Sequence, residues 1–129
     1  MKETIEKATT NGTCLLKIKA VHDVIYIIGG KWKISIITSL CYGNKRYSDL
    51  LNEVEGISGK MLSRELKELE MNKLIERKVL DTKPIGVEYS LTDFGKTLLP
   101  VISAIGNWGD EHEERLRALI LKRLESNNQ

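Results

Sequence analysis

The sequence predicts a mainly α-helical domain carrying one small β-hairpin, and three observations predict it. Leu62, Leu66 and Leu69 recur at four- and three-residue spacing within "GISGKMLSRELKELEMNKLIERKVL", which makes one apolar stripe of a helix. After Asn72 the period becomes two: Ile75, Arg77 and Val79 alternate with Glu76, Lys78 and Leu80, and Val87, Tyr89 and Leu91 alternate with Glu88 and Ser90. From Thr92 the helical spacing returns. Helix, helix, helix-turn-helix, two-stranded hairpin and long helix, in that order, describe a winged helix-turn-helix with a C-terminal dimerisation helix.

Each element has its own signal. Residues 1–13 read as a flexible polar arm, and residues 14–129 as one domain whose dimerisation helices span about 14–28 and 92–125. The first helix is apolar from Leu16 to Ile28 and stops at Gly29-Gly30. "KWKISIITSLCYG" places Trp32, Ile36, Ile37 and Leu40 at helical spacing and ends in glycine, a second helix with a C-cap. In "RYSDLLNEVEGIS", Ser48 is the expected cap of a short helix, Asp49 favours its first turn, and Gly56 ends it. Ser58 then caps a helix to Met71. The hairpin follows, with "DTKPIG" as a six-residue tip rich in turn formers. A long helix from Thr92-Asp93 carries Phe94, Leu98, Ile102, Ile105 and Trp108 on one side, with a kink expected at Pro100. Leu116, Leu119, Ile120 and Leu124 resume an apolar stripe beyond the polar stretch Gly106 to Arg115.

Composition narrows the function classes. At 129 residues, 29% charged and 41% hydrophobic, the chain suits one ordinary globular domain, and a net charge of +2 leaves the choice of partner to local patterning. No apolar run approaches the ~20 residues that cross a bilayer, and the start lacks the apolar centre of a signal peptide, so no membrane partner and a cytoplasmic location are expected. In that setting Cys14 and Cys41 are reduced thiols. No metal or cofactor is expected: His22-Asp23 and Asp110-Glu111-His112 each pair one histidine with carboxylates and lack a second ligand at helical spacing. Nor is an enzyme expected. "GISGK" is too short for a phosphate-binding loop, having only Ile57-Ser58 between its glycines, and no nucleophile has a plausible base.

Lys60, Arg64 and Lys67 repeat the four-three spacing of the leucines, shifted by two positions. At about 100° per residue this puts the basic stripe opposite the apolar one. A helix with one face fixed to the scaffold and a cationic face outward suits a DNA major groove, and Ser58 and Ser63 flank that stripe. Arg77 and Lys78 on the hairpin strands and Lys83 at its tip are candidates for flanking phosphates. Leu98, Ile102, Ile105 and Trp108 exceed what a small winged-helix core covers, so a homodimer interface is expected there. The expected partners are therefore double-stranded DNA and a second copy of the chain, with any small-molecule inducer unidentified. Two other readings stand beside this one: a KH-like module binding single-stranded RNA through the GxxG of "GISG", and a winged helix used to dock proteins.

The chain resembles the HxlR-type family of bacterial winged helix-turn-helix transcriptional regulators. The resemblance rests on "GGKW" at Gly29 to Trp32, "RYSDL" at Arg46 to Leu50, "GISGKMLSRELKELEMNKLIER" at Gly56 to Arg77, "VEYSLTDFG" at Val87 to Gly95 and "LLPVISAIGNWG" at Leu98 to Gly109. It implies a homodimer on an inverted-repeat operator. Some relatives respond to electrophiles or oxidants through a cysteine near the N-terminus, and Cys14 occupies that position. Two departures stand out: Leu15 follows Cys14 where the family usually has proline, and the wing reads Pro84-Ile85-Gly86 in place of two prolines and a basic residue. Cys41, beside Ile36, Ile37 and Leu40, is expected to be a shielded core thiol.

Overall fold

The computed structural model describes residues 13–128, with side chains from residue 17 onward. The arm expected over residues 1–13 lies outside the described residues except for Thr13, where helix α1 (Thr13–Ile28) begins. There follow α2 (Lys33–Leu40), a two-residue strand β1 (Lys45–Arg46), α3 (Tyr47–Glu53), α4 (Gly59–Met71), β2 (Ile75–Leu80), β3 (Gly86–Leu91), α5 (Asp93–Lys96), α6 (Leu99–Glu111) and α7 (Glu113–Asn127).

The core is one cluster. Ile36, Ile37 and Leu40 of α2, Leu50 of α3, Leu62, Leu66 and Leu69 of α4, Leu74 and Ile75 entering β2, and Tyr89 of β3 are all buried. Leu50 and Leu74 apart, these are positions that helical and strand periodicity single out, because a stripe repeating every three to four residues can face only one way.

The sheet has three antiparallel strands in the order β1-β3-β2. Ile75 pairs with Leu91, Arg77 with Tyr89 and Leu80 with Gly86, while Lys45 pairs with Tyr89 and Arg46 with Glu88. Gly86 therefore belongs to the ladder, and the hairpin tip is shorter than the expected six residues. The third strand has too few residues for a period to be read.

Several local expectations are corrected. The cap of α3 is Arg46, not Ser48: the Arg46 N–H donates to the Asp49 carboxylate at 3.0 Å, so the helix starts one residue after its cap, at Tyr47. The long C-terminal helix is three segments. Its first break falls at Thr97-Leu98, so Pro100 lies in the first turn of α6, where a missing N–H has no intrahelical acceptor to lose. The second break is His112 (φ −118°, ψ 21°), whereas Gly106 and Gly109 stay helical. Cys41 is exposed. It is the C-cap of α2, past the last buried turn, so its apolar neighbours in sequence do not enclose it.

Two turns fix α4. Gly56, at φ +87°, makes the left-handed step between α3 and α4 that side chains disfavour. At the other end the Leu74 N–H donates to the Leu69 carbonyl and the Lys73 N–H to the Glu70 carbonyl, both at 3.0 Å. That double bond pattern is a Schellman stop, with Leu74 folded back beside Leu69. Its left-handed residue is Lys73 (φ +62°), not glycine. Thr92 locks the far side: its hydroxyl bonds to the Lys73 carbonyl at 2.6 Å and accepts the Gly95 N–H at 2.9 Å.

Candidate nucleic-acid interface

Helix α4 begins with a true cap, since the Ser58 hydroxyl accepts the Met61 N–H at 3.1 Å. Its leucines reach the core at 2% exposure or less, while Lys60, Ser63, Arg64 and Lys67 are all exposed. Five of the residues singled out from sequence (Ser58, Lys60, Ser63, Arg64 and Lys67) are thus brought together on the solvent side of one short helix. From α3 the Tyr47 hydroxyl donates to the Gly59 carbonyl at 2.8 Å and sits 3.1 Å from the Ser63 hydroxyl. The two helices of the motif are thereby tied at the end that would enter a groove.

Behind the stripe lies a group of charges: helical periodicity puts Glu65 nearer the core side and Glu68 beside the stripe, but it did not single out Lys33, which joins them. Lys33, at the first turn of α2, is 8% exposed, and its ammonium sits 2.5 Å from Glu65 Oε2 and 2.6 Å from Glu68 Oε2. Burial works against the ammonium, but the hydrogen bonds of Glu65 and Glu68 outweigh it and hold the Lys33 pKa above the ordinary lysine value. Glu68 is correspondingly held below the usual carboxylate range by the Lys33 hydrogen bond and charge, with a smaller pull from Arg64. The Arg64 guanidinium rests near Met61 Sδ at 3.2 Å and Glu65 Oε1 at 3.4 Å, its side chain 63% exposed. The available sequence signal was the lysine itself, placed three and four residues before Ile36 and Ile37 on an apolar face.

The hairpin carries its cations differently. Arg77 and Lys78 are both exposed, but as successive strand residues they point to opposite faces. Arg77 shares its face with Tyr89, and Lys78 stands opposite Glu88, which tempers its charge. Lys83 is exposed at the tip beside a cis Lys83–Pro84 bond. Arg46 was missed by the sequence reading. Its guanidinium lies against Gly86, where a Cβ would come within 3.2 Å of it, so a further cation stands near the tip end of the wing strands. Lys45 is instead engaged with Glu53 at 2.8 Å; Lys45 and the Ser39 hydroxyl together hold the Glu53 carboxyl below its usual range.

The four residues expected at a dimer interface separate into two pairs. Leu98 and Ile102 are half-buried against the chain's own core, whereas Ile105 and Trp108 are 52% and 57% exposed. Trp108 stacks on His112, the ring centroids 4.6 Å apart. Beside Ile105, an apolar groove of about 420 Å³ runs between α1 and α6, walled by Val21, Val24, Ile25, Ile28 and Val101. Cys14 stands in the first turn of α1, and its side chain lies outside the described residues. Among the described residues no group of His, Cys, Asp and Glu could hold a metal ion, and no helix is long and apolar enough to cross a membrane.

Residues 27–117, from the end of α1 into α7, match the HxlR-like helix-turn-helix family. The chain belongs to that family. It is 40% identical over 99 residues to YdeP of Bacillus subtilis (strain 168), described as an uncharacterised HTH-type transcriptional regulator, with 77% of each chain covered. Among solved structures it is similar to the redox regulator HypR in its reduced form, at a TM-score of 0.72 and 34% identity, covering 77% of this chain and 98% of that one. The reduced form of the transcriptional regulator YodB from B. subtilis aligns at a TM-score of 0.64 and 37% identity, over 70% and 88% of the two chains. An HxlR-type chain with this fold is a DNA-binding transcriptional regulator. The two-residue β1 accordingly serves the wing sheet and does not open a KH arrangement.

Proposed function

We propose that this HxlR-type regulator acts as a two-fold homodimer on an inverted-repeat operator. In this reading α4 enters the major groove and the hairpin lies on the flanking backbone. The observation that carries it is the division of α4 into a fully buried leucine face and an exposed face bearing Lys60, Arg64 and Lys67. Ser58 and Ser63 supply hydroxyls beside that face. Arg77, Lys78 and Lys83, joined by Arg46, supply charge for phosphates, whose contacts give the salt-dependent and sequence-blind share of affinity.

The exposed apolar surface of α1 and α6 supports the dimer: Val21, Ile25, Val101 and Ile105 line one groove, Trp108 is exposed three residues further along α6, and a soluble monomer rarely leaves such a surface uncovered. A two-fold pairing there would present two copies of α4 to one DNA face, with half-sites about one helical turn, ~10 base pairs, apart. The test is to select duplexes from a random pool with the protein, then measure binding by gel shift and mass by sedimentation. An inverted repeat bound by two chains is the expected result. A selected site with a single half-site, bound by one chain, would refute it.

The likeness to HypR, a redox regulator solved in reduced and oxidised forms, favours a thiol-responsive signal, and Cys14 is the residue proposed to carry it. Its place in the first turn of α1, the helix with the exposed apolar face, would let a change at the sulfur alter how the two copies pair. Loss of an oxidation-dependent affinity change in Cys14→Ser is expected. A response that persists in Cys14→Ser but disappears in Cys41→Ser assigns it to the exposed thiol of α2 instead.

A further inference from the structure

The buried cation behind α4 is an unexpected choice for a scaffold. Replacing a buried ion pair with apolar side chains of similar volume is often neutral or stabilising, so stability alone is a weak reason for Lys33 and Glu65 to be there. Their geometry suggests another reason. Glu65 Oε2 is taken by Lys33, while Glu65 Oε1 faces the Arg64 guanidinium at 3.4 Å. Glu68, the second partner of Lys33, is four residues after Arg64, which is the spacing at which an arginine and a carboxylate meet along a helix. Glu65 and Glu68 are therefore two acceptors within reach of the one arginine of the exposed stripe. Lys33 itself is 8% exposed and lies on the scaffold side, so it does not touch a nucleic acid docked on that stripe.

We propose that Lys33 is a positioning residue for DNA recognition: by engaging the carboxylates of Glu65 and Glu68 it leaves the Arg64 guanidinium free to leave its own helix for a base edge. The proposal rests on the reading of α4 as the recognition helix. Without the ammonium, the buried carboxylate of Glu65 and the half-exposed one of Glu68 face one guanidinium with no competing cation, and the i,i+4 pair of Arg64 with Glu68 is free to close. Arg64 then folds onto its own helix, and DNA has to compete for it. The smaller pull of Arg64 on the Glu68 carboxyl, already present with Lys33 in place, has the sign this requires.

The test is a mutant cycle on a duplex that the parent protein selects from a random pool, with a scrambled duplex as reference. In the parent chain Arg64→Ala weakens specific binding about 10-fold or more. The altered background is Lys33→Met with Glu65→Gln, which removes the cation without leaving a buried charge unpaired and keeps Glu68. There, specific affinity is expected to fall by about two- to fivefold, the strength of an exposed i,i+4 ion pair. Adding Arg64→Ala then costs less than in the parent by that same factor, because part of the arginine's contribution is already lost. Adding Glu68→Gln instead returns specific affinity to within about 1.5-fold of the parent, because the captor is gone. If that background is unfolded by circular dichroism, Lys33→Gln with Glu65→Gln, two neutral amides that again leave Glu68 as the only carboxylate, replaces it with the same expected pattern. An Arg64→Ala penalty of equal size in parent and altered backgrounds overturns the proposal and leaves the recognition-helix reading standing. An Arg64→Ala change without effect in the parent overturns both.

Discussion

Trp108→Ala separates the two halves of the C-terminal apolar row. Trp108 is 57% exposed, and a tryptophan offers up to about 250 Å², so about 140 Å² of its surface is open on the single chain. With half of that buried by a partner, at about 25 cal/mol per Å², each indole contributes about 1.8 kcal/mol. Two-fold symmetry doubles this to about 3.5 kcal/mol, a weakening of the dimer by about 300-fold. That is a ceiling, because ordering side chains in an interface costs part of the gain, and a 10- to 300-fold rise in dimer Kd is the expected range. Sedimentation velocity across nanomolar to micromolar concentrations measures it, with thermal melting of the isolated chain as the control. Leu98→Ala should behave in the opposite way, since Leu98 packs on the chain's own core: about 1–3 kcal/mol of folding stability is lost, with little change in dimer Kd once folded. A Trp108→Ala dimer Kd within threefold of the parent would refute the reasoning, as would a parent chain that is monomeric at micromolar concentration.

Other outcomes follow from single features. Lys83→Ala should weaken binding to all duplexes alike and flatten the salt dependence by about one unit, unlike Arg64→Ala, whose loss of about 1–3 kcal/mol should be specific to the selected site. Lys73→Gly should raise stability by about 1 kcal/mol in urea unfolding, because glycine adopts the left-handed stop of α4 without the steric cost that Lys73 bears. Gly95→Ala should cost about 2 kcal/mol or more, since a Cβ there would lie 2.1 Å from the Leu74 carbonyl oxygen, a backbone atom with little room to move. Stability should fall at both pH extremes. Glu53 and Glu68, held below 4.5 when folded, contribute above that value and lose it as acid titrates them, while the contribution of Lys33 is present below 10.5 and fades as pH rises through its elevated pKa. Melting curves at several pH values, repeated with Lys33→Met, check both limbs.

The elements that bury many residues in a regular pattern were legible in the sequence. The α4 stripe, the change to period two, and the Ser58 cap each put several residues under one constraint, and HxlR-type family membership agrees with the order they imply. Features set by one or two residues were not. β1 has no period to display. Ser48 and Arg46 compete for the same cap, and the choice depends on where Lys45 and Arg46 join the sheet. Cys41 follows a buried stripe in sequence but caps the helix in space. The apolar row from Phe94 to Trp108 gave no hint that Leu98 and Ile102 serve the chain's own core, because periodicity reports which residues share a face and not what covers it. Lys33 shows the same limit for charge, since its partners lie 32 and 35 residues away.

The pairing of β1 with β3 has a mechanical meaning. Lys45-Arg46 leads directly into α3, so the strand that borders the wing and the helix that opens the helix-turn-helix are one continuous piece of backbone. The distance from hairpin to α4 is therefore a built dimension, a gauge fixed before any DNA arrives. If α4 and the hairpin both contact DNA, as proposed, a duplex whose groove width does not fit would have to bend or twist to meet it, and that deformation energy depends on base pairs lying between the contacts. Selectivity would then extend to positions that no side chain touches, and stiff or flexible steps between the helix and wing contacts should alter affinity while every contacted base stays the same.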